Sequence, residues 1–181
     1  LGSAGQAPLY SDTRIVDNDN RPLPAGERGE ICLRGPNIMK GYWNRPEATA
    51  EAIDAEGWFH SGDIGYLDED GFLFICDRLK DMVISGGENV YPAEVEGALY
   101  RHEAIAEVAV IGMPDDKWGE AVTAVVALHS GKELTLEELR EFAEPLLARY
   151  KLPLRLHIVD ALPRNPAGKV LKFVLKEQLE D

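Results

Sequence analysis

Cysteine is scarce: Cys32 and Cys76 are the two among 181 residues. Each sits in a short apolar run, which excludes a disulfide framework and reads as buried thiols of a protein kept in a reducing cytoplasm. Basic residues are also few, 19 against 32 acidic, for a net charge of -13. The deficit falls on both halves, with 6 basic against 14 acidic residues before Arg78 and 13 against 18 from Arg78 onward. Neither half carries the cationic footprint that a nucleic-acid backbone demands. No apolar run approaches the ~20 residues that cross a bilayer, so no transmembrane segment is expected. Leu1-Gly2-Ser3-Ala4-Gly5 lacks the charged and hydrophobic regions of a signal peptide. The four histidines, His60, His102, His129 and His157, follow no ligand spacing, which argues against a metal site within the chain.

What remains is an ordinary globular composition, 45% hydrophobic and 28% charged, in a chain long enough for one large domain or two small ones. Its first part reads as β-rich. Strands are expected at Thr13–Asp17 and Glu30–Arg34, a short helix at 46–53 with proline in its first turn, and a hairpin of Ile64–Leu67 and Phe72–Cys76 around Asp68-Glu69-Asp70-Gly71. After Arg78 the periodicity alternates between helices and strands. Strand Met82–Ser85, a helix from Pro92 to about His102, and strands Val108–Ile111 and Ala121–His129 follow, the last apolar enough to be covered on both faces. Thr135-Leu136-Glu137-Glu138 is a capping box for a helix running toward Tyr150, kinked at Pro145. Strand Leu156–Val159, a loop at 163–168 and an amphipathic helix Val170–Leu179 close the chain. The class is α+β, with a β-rich part over 1–77 and a compact α+β domain over 78–181 joined by one charged elbow.

Several residues could carry chemistry. If Leu67 faces Phe72 across the hairpin turn, counting back brings Asp63 and Arg78 to the same open end. There the carboxylate can accept from a vicinal diol while the guanidinium holds a hydroxyl or phosphate oxygen, or the two can simply form a structural ion pair. Lys169 ends Pro163-Arg164-Asn165-Pro166-Ala167-Gly168-Lys169, a stiff loop able to hold an ammonium at a fixed spot, although a solvated lysine fits as well. Ser85-Gly86-Gly87 ends a strand with room for a narrow group against the backbone, or is a plain turn. Trp118 and Tyr150 are aromatics in polar loops, able to stack on a purine or to pack. His60 has no Ser or Cys partner in an elbow context and reads as structural.

Three stretches occur in a telling order: Gly57-Trp58-Phe59-His60-Ser61-Gly62-Asp63-Ile64-Gly65-Tyr66, then Asp77-Arg78-Leu79-Lys80-Asp81 through Gly86-Gly87-Glu88-Asn89-Val90-Tyr91-Pro92, then Pro163 through Lys169. In this the chain resembles the adenylate-forming superfamily of acyl-CoA synthetases, luciferases and peptide-synthetase adenylation domains. The resemblance implies a ribose grip at Asp63 and Arg78, a catalytic lysine at Lys169 that serves adenylation at the α-phosphate, and a hinge at Lys80. It further implies a CoA-binding face at Ser85, Gly86 and Gly87, with Trp118 and Tyr150 near the CoA nucleotide. Leu154 stands at one position where a basic residue is expected, and Arg155 follows it.

The family's phosphate loop and its Tyr-Gly-x-Thr-Glu motif are not present. The expectation is therefore the end of the large N-terminal domain plus the mobile C-terminal lid of an acyl-CoA synthetase, inactive alone, with the N-terminal domain supplied by the full-length protein. The substrates would be a carboxylic acid, most like a fatty acid by the wording of Ile84 through Glu96, together with ATP and CoA; Mg2+ would arrive with ATP. A peptide-synthetase adenylation domain is the alternative enzyme. A non-catalytic module that pairs strands or forms a homo-oligomer is the alternative of another class.

Overall fold

The computed structural model describes residues 2–180. The chain is α+β and forms two compact units, one ending at Lys80 and one beginning at Asp81.

In the first unit β1 (Asp12–Val16), β2 (Gly29–Arg34), β3 (Phe59–Leu67) and β4 (Leu73–Arg78) form an antiparallel sheet in that order, with helix α1 (Pro46–Ala52) between β2 and β3. Its small core joins Val16, Cys32 and Trp58. The guanidinium groups of Arg14 and Arg34 lie 4.2 and 4.4 Å from the Trp58 ring centroid, so two cations also pack on the indole.

The β3–β4 hairpin departs from the expected register. Leu67 pairs with Leu73, not Phe72, because Asp68 closes a longer turn: its carboxylate accepts from the Phe72 N–H at 2.8 Å and its carbonyl from the Gly71 N–H at 3.0 Å. A regular ladder from that start would set Asp63 against Asp77. Instead Cys76 is an extra residue on β4, between the pairs Ile64↔Asp77 and Gly65↔Ile75, and this bulge advances the pairing to Asp63↔Arg78. The expected neighbours are thus correct and the expected counting was not.

The second unit is built on a long ribbon of β7 (Ile105–Asp115) and β8 (Gly119–Leu128), with β5 (Val83–Ser85), β6 (Glu88–Val90) and β9 (Arg155–Ile158) completing the sheet. β5 and β9 share one side of β8, the latter in parallel, while β7 occupies the other. Alternation along β8 sends Val122, Ala124 and Val126 into a core with Val95 and Leu99 of α2 (Pro92–Leu99) and Leu139 of α3 (Leu136–Ala143). Val125 points the other way, into a second core with Leu175 of α4 (Lys172–Glu180). Burial on both faces explains the unbroken apolar run of β8.

Two expected lengths are corrected: α2 ends at Leu99 and not near His102, and α3 is shorter than expected. The capping box forms as read, the Glu138 N–H donating to Thr135 Oγ1 at 3.2 Å and the Thr135 N–H to Glu138 Oε2 at 2.8 Å. The helix nevertheless stops at Ala143, because Pro145 has no N–H to continue the ladder; Tyr150 lies in a separate 3-10 turn, Arg149–Lys151. Strand β6, hidden by the polar pair Glu88-Asn89, had not been anticipated.

Candidate functional site

In the first unit the bulge sets Nε of Arg78 3.1 Å from Oδ1 of Asp63. Both groups reach solvent, at 53% and 30% side-chain exposure, so each keeps hydrogen-bonding capacity for a ligand. The approach to Asp63 is shaped from behind. Gly62 takes φ +70, and its N–H donates to Glu30 Oε1 at 3.1 Å, while Oε2 of the same carboxylate lies 2.7 Å from Nδ1 of His60. His60 is therefore a structural tie, with Asp54 3.7 Å from its other nitrogen.

Glu30, Cys32 and His60 put three ligand-type atoms within 4.8 Å of one another, a grouping the sequence spacing did not suggest. Their mutual contacts account for it. Glu30 is engaged by His60 and Gly62, and burial, with the Glu30 charge second, pushes the Cys32 thiol up to about 11, away from the thiolate a metal would need. Neither cysteine is in a disulfide, Cys32 being buried and Cys76 half-buried.

In the second unit Ser85, Trp118 and Tyr150 line one cavity of about 490 Å³ together with Lys117, Arg140, Arg149, Leu152 and Leu154. Residues from β5, the β7–β8 loop, α3 and the segment from Arg149 to Leu154 thus converge. Asp115 holds the Trp118 loop: its Oδ1 accepts from the N–H groups of Lys117 and Trp118 at 3.0 and 3.1 Å, and its Oδ2 from Arg155 at 2.9 Å. Those backbone donors first, and Arg155 after them, keep its carboxyl below the ordinary 3.8. Tyr150 is fixed through its neighbour, since Lys151 Nζ reaches Glu94 at 2.6 Å.

The three cations were not singled out from sequence. Lys117 and Arg149 stand next to the two aromatics, a signal that was available; Arg140 sits on α3 and gave none. Leu154 lines the cavity as an apolar wall, and Arg155 is spent on Asp115 and the Pro114 carbonyl. The positive charge is supplied instead by Lys117, over the Trp118 ring at 4.7 Å, by Arg140, which donates to the Pro153 carbonyl at 2.6 Å, and by Arg149. Trp118 also explains Gly86: at φ +61, a Cβ there would come within 2.8 Å of the indole. Gly87 differs, since at φ +84 nothing lies within 4 Å of the place a Cβ would occupy. Open space beside Gly87 leaves its backbone approachable.

Lys169 ends a pinned loop in the second unit. The Asn165 N–H donates to the Lys169 carbonyl at 2.9 Å, and the Lys169 N–H to Asn165 Oδ1 at 2.9 Å. Arg164 braces the turn, donating to the Gly168 carbonyl at 2.7 Å and to Glu107 at 2.8 Å. The Lys169 side chain is exposed, and its ammonium has no ion-pair partner among the described residues. Lys80 sits in the 3-10 turn Leu79–Asp81, at the division between the units. Asp63 and Arg78 belong to one unit, and the cavity residues and Lys169 to the other.

Residues 94–169 match the family model of the AMP-binding enzyme C-terminal domain, and residues 1–43 match that of AMP-binding enzymes. The chain belongs to the AMP-binding enzyme family. Members similar to it include a feruloyl-CoA synthase of Amycolatopsis, 49% identical over 95% of this chain and 35% of its own length. A long-chain-fatty-acid–CoA ligase of Mycobacterium tuberculosis is also 49% identical, over 98% of this chain and 35% of its own. Among solved structures, ATP-bound MatB from Rhodopseudomonas palustris aligns with a TM-score of 0.90 and 40% identity, over 99% of this chain and 36% of that one. The chain therefore spans about a third of the length of the family members it matches. Trp118, Tyr150 and Lys169 fall inside the matched C-terminal stretch, whereas Asp63, Arg78 and Ser85 through Gly87 lie between the two.

Proposed function

We propose that the chain is the C-terminal part of an AMP-forming acid–CoA ligase, which activates a carboxylic acid with ATP and passes the acyl group to CoA. The observation that carries this reading is the cavity of Ser85, Trp118 and Tyr150 with Lys117, Arg140 and Arg149. Two aromatic faces and three cations around one opening suit a phosphorylated purine nucleotide, through stacking and charge-assisted hydrogen bonds. The Gly87 backbone, open to approach, offers the narrow passage that a pantetheine arm needs.

In the first half-reaction the acid attacks the α-phosphorus of ATP and pyrophosphate leaves. Lys169 supplies the positive charge there, its loop fixed in advance by Arg164 and Asn165. Asp63 accepts from the ribose hydroxyls with Arg78 beside it, and magnesium enters with the ATP phosphates. Rotation about Lys80 then exchanges Lys169 for the Ser85–Gly87 face, and the CoA thiol attacks the acyl carbon, releasing AMP. The rest of the large domain supplies the remaining phosphate contacts and the acid pocket, so this chain alone turns over no acid. Its two cysteines, neither in a disulfide, suit the reducing cytoplasm.

The acid is a fatty acid in the reading that the segment Ile84 through Glu96 favours. Family members of equal identity are named for an aromatic acid and for a long-chain fatty acid. The test is acid-dependent release of pyrophosphate and AMP by the full-length protein with a panel of fatty and aromatic acids, with and without CoA. Thioester formation with a fatty acid is expected. Adenylation without any transfer to CoA would replace this reading by that of a carrier-dependent adenylation domain.

A further inference from the structure

The strand that carries Ser85 and the two glycines is weakly attached to its sheet. β7 and β8 pair from Ile105↔Leu128 to Asp115↔Gly119, with one register shift at Ala106, whereas β5 meets β8 at the single pair Ser85↔Gly119. One backbone bond, from the Gly86 N–H to the Trp118 carbonyl at 2.8 Å, closes the end of that junction. The preceding donor in the strand, the Ile84 N–H, is met by a side chain: Oε2 of Glu120 accepts it at 2.7 Å.

That carboxylate occupies a prepared place. Pro114 pairs with Glu120 and Gly112 with Val122, so Gly112 is the diagonal neighbour of Glu120 on the same face of the ribbon. A Cβ at Gly112 would fall 2.6 Å from Oε1 and 2.8 Å from the carboxyl carbon of Glu120, and 3.0 Å from Cγ1 of Val83. Gly112 has no positive φ, so glycine is required there for room and not for backbone conformation. Glu120 makes no ion pair among the described residues, and the bond to Ile84 is what its position achieves.

We propose that Glu120 is a positioning residue for thioester formation, its carboxylate in the Gly112 notch fixing the strand that presents Ser85, Gly86 and Gly87. This rests on the acid–CoA ligase reading. It assigns Glu120 to one half-reaction only: the carboxylate touches neither substrate, and it acts by holding β5 at the height from which the Gly87 backbone borders the incoming arm. A charged acceptor makes a stronger bond to an N–H than a neutral one, and leaving the strand's donor unmet lets β5 shift.

The test uses two half-reactions of the full-length enzyme: pyrophosphate release, and thioester formation from supplied acyl-AMP and CoA. Glu120→Ala should lower the thioester kcat about tenfold while adenylation stays within about twofold, the scale of one charge-assisted hydrogen bond. Glu120→Gln, which keeps an acceptor oxygen, should recover most of the rate. Gly112→Ala should resemble Glu120→Ala, and the double variant should be no worse than either single one. In the 181-residue chain, amide exchange at Ile84 should quicken in Glu120→Ala and not in Glu120→Gln. An unimpaired thioester step in Glu120→Ala, equal loss of both half-reactions, or an Ile84 amide indifferent to the substitution would overturn the proposal. A wild-type enzyme that forms no thioester would overturn the ligase reading together with this role, whereas an active wild type with an unimpaired Glu120→Ala overturns this role alone.

Discussion

The two units assemble the groups proposed to meet ligand by opposite means. In the first, an irregularity does it: one extra residue on β4, Cys76, brings Arg78 opposite Asp63 within a sheet whose buried core is small. In the second, regularity does it: the long β7–β8 ribbon, filled on both faces and regular from Glu107 to Asp115, is a stiff frame whose end carries the Trp118 loop and β5, while the Tyr150 turn is tied to α2 through Lys151 and Glu94. A site made by a bulge is sensitive to chain length, and a site hung on a frame is sensitive to the frame and to its hooks.

The largest effect should come from the frame. Leu139 is fully buried in the α2–α3 side of the second unit, and Leu139→Ala should cost about 2–5 kcal/mol in urea denaturation followed at the amides of β8. Less than 1 kcal/mol would mean that the ribbon does not depend on its packed faces. The bulge gives the next effect. Inserting one alanine between Cys76 and Asp77 should set Asp77 opposite Asp63, move Arg78 out of register with it, and raise the KM for ATP of the full-length enzyme about tenfold, a loss of about 1.4 kcal/mol in binding. An unchanged KM would remove the register from the account of the ribose grip.

A hook comes third. Arg149→Ala should raise the KM for CoA severalfold and leave that for ATP alone, because the guanidinium faces the cavity and has no ion-pair partner among the described residues. The smallest effect is that of pH. Arg164 holds Glu107 below its ordinary 4.5, and the Lys117 and Trp118 N–H groups hold Asp115 below 3.8. A carboxyl depressed by folding adds stability above its unfolded value, and loses it as pH falls through the folded one. The Trp118 and Lys169 loops should therefore stay ordered down to about pH 4 and loosen below it, and Asp115→Asn should flatten that response in Trp118 fluorescence. A loosening between pH 5 and 7 would point to another group.

The same contrast governs what could be read in advance. The capping box at Thr135, the two-faced apolar run of β8 and the proline-led α2 are local patterns, and each appears where its residues place it. Asp63 and Arg78 were matched correctly from an incorrect count, because a bulge has no signature in an alternating pattern. The length of α3 was overestimated by treating Pro145 as a kink when the helix ends before it. Arg140, Glu120 and Gly112 were illegible for one reason: their roles are contacts across the sheet or between helix and loop, fixed by register and not by neighbours in the chain. Leu154 drew attention as an absent cation, while the cations that line the cavity came from α3 and from residues flanking the aromatics.

In the proposed mechanism one lysine and one cavity of the second unit serve different steps. Crossed half-reaction kinetics of Lys169→Ala and Trp118→Ala in the full-length enzyme test it most directly. Lys169→Ala should lose adenylation by about a hundredfold or more and still form thioester from supplied acyl-AMP, while Trp118→Ala should do the reverse, with adenylation intact and a weakened use of CoA. Both variants losing both steps in equal proportion would contradict the account.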